Sequence, residues 1–243
     1  MLVTIVLAGG EGKRMKSEIP KVLNTIKNKP MIHYVIQKAL EINSDKIFIV
    51  VGKHEIEIKN SIYLGFPNDY TKFYFITQTD ALGTGDAVKN CLPYTTTFDI
   101  FTKILILSAD VPSIGIETLN ELIKYDNAVL THTKNNPFGC GRILLDEYGY
   151  IERIVEEKDC IEKQYLIELI NCGIYVCTLK TLQLTMQIKN MNTASEYYLT
   201  DLIELGYNSG SLFKSVELPK VKSFEFFNIN TYEELEIAKH ILE

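Results

Sequence analysis

Short apolar runs alternate with segments of helical period through the first half of the chain. Runs at residues 3–7, 46–51, 73–76, 104–107 and 128–131 predict strands. Between them, apolar positions recurring at helical spacing predict helices over 31–41, 55–63, 84–92 and 116–124. Pro30 at the entry of the first helix and Gly83 just before the third are start signals, since proline tolerates the first helical turn. Strand and helix in strict alternation is the pattern of βαβ units and predicts an α/β fold with a parallel sheet.

The pattern changes after residue 134. Short β-rich pieces at 141–145, 151–156 and 169–176 follow one another with few helices between them, which predicts a second sheet layer or a cap over the first half. Helices resume over 179–188 and 197–205, followed by a strand over 213–217 and a last helix over 231–242. No Pro/Ser/Gly-rich linker, internal repeat or low-complexity tract separates the halves, so residues 1–243 read as one integrated domain.

At 46% hydrophobic residues, a chain of 243 can bury a sizeable core. The net charge of -6 and the isoelectric point near 5.4 argue against nucleic acid or an anionic membrane as partner, because both need a cationic face. Any anion must be held by a local arrangement. The five cysteines are odd in number and form no C-x-x-C pair, so neither a disulfide framework nor a zinc site is expected. The N-terminus shows no basic leader or cleavage site, and no apolar stretch is long enough to span a bilayer; a soluble protein of the reducing cytoplasm is expected.

One local arrangement stands out. The first strand runs into Leu7, Ala8, Gly9, Gly10, Glu11, Gly12, Lys13, Arg14 and Met15, with Pro20 and Lys21 close behind. Glycines let the backbone turn tightly and bring its N–H groups close to a phosphate. Lys13, Arg14, Lys16 and Lys21 outnumber Glu11 and Glu18, a cationic island on an acidic chain that suits a triphosphate. A glycine triplet after a buried strand is, taken alone, more often a mere tight turn. Its place at the carboxyl end of the first strand of a parallel sheet, where ligands bind, favours the binding reading. The spacing fits neither a P-loop nor the dinucleotide fingerprint. Asp110 follows the apolar run 104–107, so its carboxylate is expected at the mouth of the sheet; a helix cap or turn acid before Val111 and Pro112 fits the same spacing equally well.

The string LAGGEGKRMKSEIPKVLN resembles the signature of sugar-nucleotide pyrophosphorylases, and in particular the uridyltransferase half of bacterial N-acetylglucosamine-1-phosphate uridyltransferase. The resemblance continues in order through QTDALGTGDAV, ILILSADVPSI, GCGRIL, IVEEKDC, INCGIYV and NTASEYYLTDLIELGY. It implies a Rossmann-like nucleotidyltransferase fold: a mostly parallel mixed central sheet with a smaller β-rich sugar-binding layer, residues 1–133 serving the nucleotide and 134–243 the sugar. The implied reaction transfers uridylyl from UTP to N-acetylglucosamine 1-phosphate and releases pyrophosphate. Leu7, Ala8, Gly9, Gly10 and Gly12 would bind the nucleotide, with Arg14 and Lys21 acting on its phosphates. Gln78, Gly83 and Thr84 match the uracil-reading segment, and Gly141, Glu156 and Asn171 match positions that hold the sugar. Asp110 and Asn228 match the ligands of a magnesium ion, Mg2+. On spacing alone Gln78 is a turn residue and Glu156 a solvated acid, and Asn228 is found through the resemblance.

The chain departs from these relatives in places. They carry Tyr-Gly-Asp where Ser108-Ala109-Asp110 stands, Gly-Val where Phe226-Phe227 stands, and usually alanine at Gly9. The first change removes an aromatic group near the sugar, which leaves glucose 1-phosphate, or dTTP or CTP as nucleotide, as alternatives; a non-catalytic nucleotide sensor is the alternative from another class. The hexapeptide array of the bifunctional bacterial enzyme does not follow residue 243, so acetyl transfer and its β-helix trimer are not expected, although another oligomer is possible. The expected partners are small-molecule substrates. His33, His54, His132 and His240 share no metal spacing and read as structural or solvated, whereas Cys140 and Cys172 fall within the sugar-side blocks and are candidates to line the pocket.

Overall fold

A computed structural model describes residues 1–10, 12–15 and 19–242, with the backbone alone at Lys13. Lys16, Glu11 and Glu18, counted above in the cationic loop, lie outside the described residues. The chain order is β1 (Leu2–Leu7), β2 (Thr25–Ile26), β3 (Lys29–Pro30), α1 (Met31–Glu41), β4 (Lys46–Val51), α2 (Glu55–Gly65), β5 (Phe73–Thr77), α3 (Thr84–Lys89), β6 (Lys103–Ser108) and α4 (Ile116–Leu122). It continues with β7 (Ala128–Thr133), β8 (Arg142–Leu145), β9 (Tyr150–Val155), β10 (Leu169–Thr178), α5 (Leu179–Leu182), α6 (Asp201–Asn208), β11 (Phe213–Glu217) and α7 (Tyr232–Ile241).

The first-half strands are apolar on both faces because helices cover both. Val6, Ile49 and Leu107 pack on one side with α1 and α2, while Ile5, Val50 and Ile106 pack on the other with α3 and α6. Side chains alternate between the faces of a strand, so a continuous apolar run is what a sheet sandwiched between helices requires. The strands β5, β4, β1 and β6 run parallel and bring their carboxyl ends to one edge.

The second half joins the same sheet instead of forming the separate layer or cap expected from the sequence. β10 pairs antiparallel with β6, and the order runs β5-β4-β1-β6-β10-β7-β11-β9-β8. The sheet is mixed but not mostly parallel: four of its ladders are parallel and five antiparallel. β10 makes the difference. Its register shifts between Asn171 and Tyr175, with Gly173 at φ +70°, so one end serves β6 while the other pairs Ile170 with Arg142 of β8. Irregularities of this kind bend a strand and increase its twist, and here they curl the sheet's end back on itself.

Three local differences matter. A tight hairpin, β2–β3, turns through Lys27 (φ 48°) and Asn28 (φ 64°), too short to leave a periodic signal. The helix expected over 197–205 starts at Asp201, because Tyr197 is held over α3: its N–H donates to the Leu82 carbonyl at 2.8 Å and its carbonyl accepts from Gly85 N–H at 2.7 Å. The helix expected over 179–188 divides into α5 and a 3-10 helix, Gln183–Gln187.

Candidate functional site

Loop geometry follows from the end of β1. Ala8 N–H donates to the Val50 carbonyl at 2.9 Å, which carries the parallel ladder one residue past the strand before the glycines turn away. Gly12 adopts φ +63°, and a Cβ there would lie 2.5 Å from Lys21 Cβ, so glycine alone lets the loop pass over Lys21. Between this loop, Gln78, Gly83 and Asp110 lies a cleft of about 260 Å³. Of the expected nucleotide residues, Leu7, Ala8, Gly9, Gly10, Gln78, Gly83 and Thr84 line it, together with Lys21 and Asp110.

The charged groups converge in one network. Lys21 Nζ donates to Asp110 Oδ2 at 2.5 Å and to Asn230 Oδ1 at 2.9 Å. Arg14 Nη2 donates to the same Asn230 oxygen at 2.9 Å, and Asn230 Nδ2 donates to Asn228 Oδ1 at 2.8 Å. Ser108 Oγ donates to the remaining Asp110 oxygen at 2.6 Å. The segment carrying Asn228 is tied to the sheet edge by Ile229 N–H on the Asp110 carbonyl, 2.9 Å, and by the capping box of Thr231 and Glu234 at the start of α7. Arg14, Lys21, Asp110 and Asn228, though spread over 215 positions, therefore share one hydrogen-bonded network, of which Lys21 and Asp110 line the cleft and Arg14 and Asn228 do not. Asn230, which joins them, was missed by sequence reasoning. Residues 228 and 230 are two apart, a spacing that puts both side chains on one side of an extended segment.

The donor set suits magnesium. Asp110 offers a carboxylate and Asn228 an amide oxygen, hard ligands of the kind that bind this ion along with substrate phosphates and water. The ammonium of Lys21 against Asp110 shows that this carboxylate already attracts a cation.

In the wall of the cleft, Gln78 is buried, with its backbone N–H on the Val51 carbonyl at 2.8 Å. Its amide NH2 meets the Gly83 carbonyl at 3.1 Å and Asp86 Oδ2 at 2.8 Å. Gly83 needs its glycine: φ is +121°, and a Cβ would meet the Tyr197 carbonyl oxygen at 2.5 Å.

Gly141, Glu156 and Asn171 come together away from the cleft lining. Asn171 N–H donates to the Gly141 carbonyl at 2.9 Å, and a Cβ on Gly141 would lie 3.4 Å from the Glu156 carboxylate. Glu156 faces a hollow of about 460 Å³ that it shares with Asp159, Tyr198 and Asp201. Burial pushes its carboxyl above the ordinary range, with Asp159 and Glu196 adding to the rise and the Thr200 hydroxyl opposing it. Asp201 is pushed up to about 6, again mainly by burial and then by Glu204 and Glu156. The two clusters meet through consecutive residues: Leu199 N–H donates to Thr84 Oγ1 at 3.0 Å, and Thr200 Oγ1 donates to Glu156 at 3.2 Å. Glu196, just before this stretch, lines the cleft. Neither Cys140 nor Cys172 does, and all five cysteines are free. Among the described residues no group of three or more His, Cys, Asp or Glu is placed to hold a metal.

A glycine turn, two cations and an acid gathered at the carboxyl edge of parallel strands suit the handling of a nucleoside triphosphate, and the relatives of this chain are nucleotidyltransferases. The chain belongs to the MobA-like NTP transferase domain family, whose model matches residues 4–159. It is 42% identical, over 99% of its length and 96% of that protein, to an Acanthamoeba polyphaga mimivirus protein named "Probable UDP-N-acetylglucosamine pyrophosphorylase". It is 37% identical to the bifunctional protein GlmU of Francisella philomiragia, of which it spans 53%. In fold it is similar to a UDP-glucose pyrophosphorylase complexed with UDP-glucose, with a TM-score of 0.77 at 17% identity over 98% of this chain and 97% of the other. An inositol-1-phosphate CTP transferase from T. maritima gives 0.73 at 16% identity over 99% and 94%.

Proposed function

We propose that the protein is a UDP-N-acetylglucosamine pyrophosphorylase, joining the uridylyl group of UTP to N-acetylglucosamine 1-phosphate and releasing pyrophosphate. The observation that carries this reading is the hydrogen-bonded chain from Arg14 and Lys21 through Asn230 to Asn228, with Asp110 closing it. The sugar 1-phosphate is mostly dianionic near neutral pH, so its oxygen attacks the α-phosphorus in line without a general base. What the site must supply is alignment of two anions and neutralisation of charge on the departing pyrophosphate. Arg14 and Lys21 do this, Lys21 turning its ammonium from Asp110 to the phosphates. Asp110 and Asn228 would hold magnesium, which would shield charge on the triphosphate. The turn at Leu7, Ala8, Gly9, Gly10 and Gly12 holds the nucleotide, with Gln78, Gly83 and Thr84 on the base.

We assign the sugar to Gly141, Glu156 and Asn171. The Asn171 amide is oriented for this by Tyr175 OH, which accepts from it at 2.7 Å, and by Gly173 N–H, which donates to it at 2.9 Å. Residues 1–133 then serve the nucleotide and 134–243 the sugar, with Asn228 and Asn230 returning to the phosphates. Five free cysteines suit the reducing cytoplasm, and no helix among the described residues is long and apolar enough to cross a membrane. A panel of sugar 1-phosphates against UTP, CTP and dTTP, read by pyrophosphate release, tests the proposal. The expected best pair is UTP with N-acetylglucosamine 1-phosphate. Preference for glucose 1-phosphate would reassign the sugar, and UTP binding without turnover in magnesium would make the protein a sensor.

A further inference from the structure

The Gln78 side chain can point its amide one way only. Its NH2 end faces two groups that accept and cannot donate, the Gly83 carbonyl at 3.1 Å and the Asp86 carboxylate at 2.8 Å. Reversing the amide would set its oxygen against both. Asp86 in turn is steadied by Asn90, whose Nδ2 donates to the same carboxylate oxygen at 3.2 Å one turn along α3. The Gln78 carbonyl oxygen is therefore turned to the other side, toward Gly9, where a Cβ would sit in ordinary contact with it at 3.4 Å. Both Gln78 and Gly9 line the cleft, while Asp86 does not.

We propose that Asp86 is a positioning residue that sets base selectivity by fixing Gln78 as a hydrogen-bond acceptor toward the cleft. The inference rests on the reading of Gln78 as the contact to the base. A fixed acceptor matches a pyrimidine that carries a proton at N3, which is uracil or thymine. Cytosine presents an unprotonated N3 and would set acceptor against acceptor, leaving two desolvated groups unpaired. Selection of UTP over CTP thus depends on a carboxylate outside the cleft lining, acting together with the Gly83 carbonyl.

The test compares kcat/KM for UTP and CTP, each with N-acetylglucosamine 1-phosphate and magnesium, in the native protein and in Asp86→Asn, Asp86→Ser and Gln78→Ala. An asparagine or serine at 86 can donate as well as accept, which removes one of the two acceptors that hold the Gln78 amide and leaves the Gly83 carbonyl alone to oppose its reversal. The UTP-to-CTP ratio is expected to fall by roughly tenfold or more in both Asp86 variants. A merely structural role would lower both nucleotides alike and leave the ratio unchanged. Thermal unfolding of each variant identifies those that fold, and Asp86→Ser keeps the test open if Asp86→Asn does not. A ratio within threefold of the native value in a folded Asp86 variant, while Gln78→Ala loses it, overturns the role of Asp86 and leaves Gln78 as the base contact. An unchanged ratio in Gln78→Ala overturns the base contact itself, and the inference with it.

Discussion

Lys21 Nζ lies 2.5 Å from Asp110 Oδ2, with the two side chains only 9% and 16% exposed. The cation we assign to the phosphates and the acid we assign to the metal are thus paired with each other in the absence of substrate. Removing one partner strands the other in a poorly solvated place, whereas removing both does not. Asp110→Ala is expected to lower unfolding free energy by about 1–3 kcal/mol, and Lys21→Met combined with Asp110→Ala to recover most of that loss. Urea denaturation of the two single variants and the double variant measures the coupling; simple additivity would show that the pair does not interact in this way.

Arg14 occupies the other side of Asn230 but is exposed, so its loss should be felt in chemistry and not in stability. Arg14→Ala is expected to reduce turnover by about tenfold or more, with the melting temperature nearly unchanged. Arg14→Lys should recover little, since an ammonium cannot present the planar fork of donors. Pyrophosphate release at saturating substrate reads the effect, and near-native turnover in Arg14→Ala would remove the residue from the mechanism.

At Gly83 both the backbone angle and the surroundings exclude a side chain. Gly83→Ala must push against the Tyr197 backbone, which also accepts the Gly85 N–H. A cost of about 1–3 kcal/mol is expected from the strained backbone, accompanied by displacement of the stretch that links Thr84 to Glu156. KM for the sugar phosphate should therefore rise along with KM for UTP. A variant with native stability and native KM values would show that this close approach is not needed.

The parts of the fold that could be read from the sequence are those where one local rule dominates. Ile5, Ile49 and Ile106 belong to apolar runs that can only be strands buried on both faces, and Gly9, Gly10 and Gly12 announce a turn at the end of one of them. What the sequence does not show depends on partners distant along the chain. β10 departs from a parallel sheet because it runs antiparallel to β6 and β7, and a shift against β7 around Gly173 lets its first residues meet β8 as well, none of which leaves a periodic trace. Tyr197 to Thr200 looked helical, but hydrogen bonds to Leu82 and Gly85 outweigh that local preference. Asp86 reads as an ordinary acid in the first turn of a helix, and its grip on Gln78 exists only in three dimensions.

His33 supplies a pH dependence that lies apart from the cleft. Its ring is packed between α1 and α2, 5.2 Å from the Phe66 ring and bonded to Ser61 Oγ at 2.9 Å. Burial holds its pKa below the ordinary value of 6.5; the nearby Lys29 charge lowers it further, and the Ser61 contact opposes them. The unfolded chain takes up this proton more readily than the folded one, so stability rises with pH across the interval between the depressed value and 6.5, and is lost as pH falls through it. His33→Gln keeps a partner for Ser61 but binds no proton. Thermal unfolding between pH 8 and pH 5 should therefore decline less steeply in the variant than in the native protein. Parallel curves for the two proteins would show that His33 is protonated equally in the folded and unfolded states, and that its burial between the helices carries no electrostatic cost.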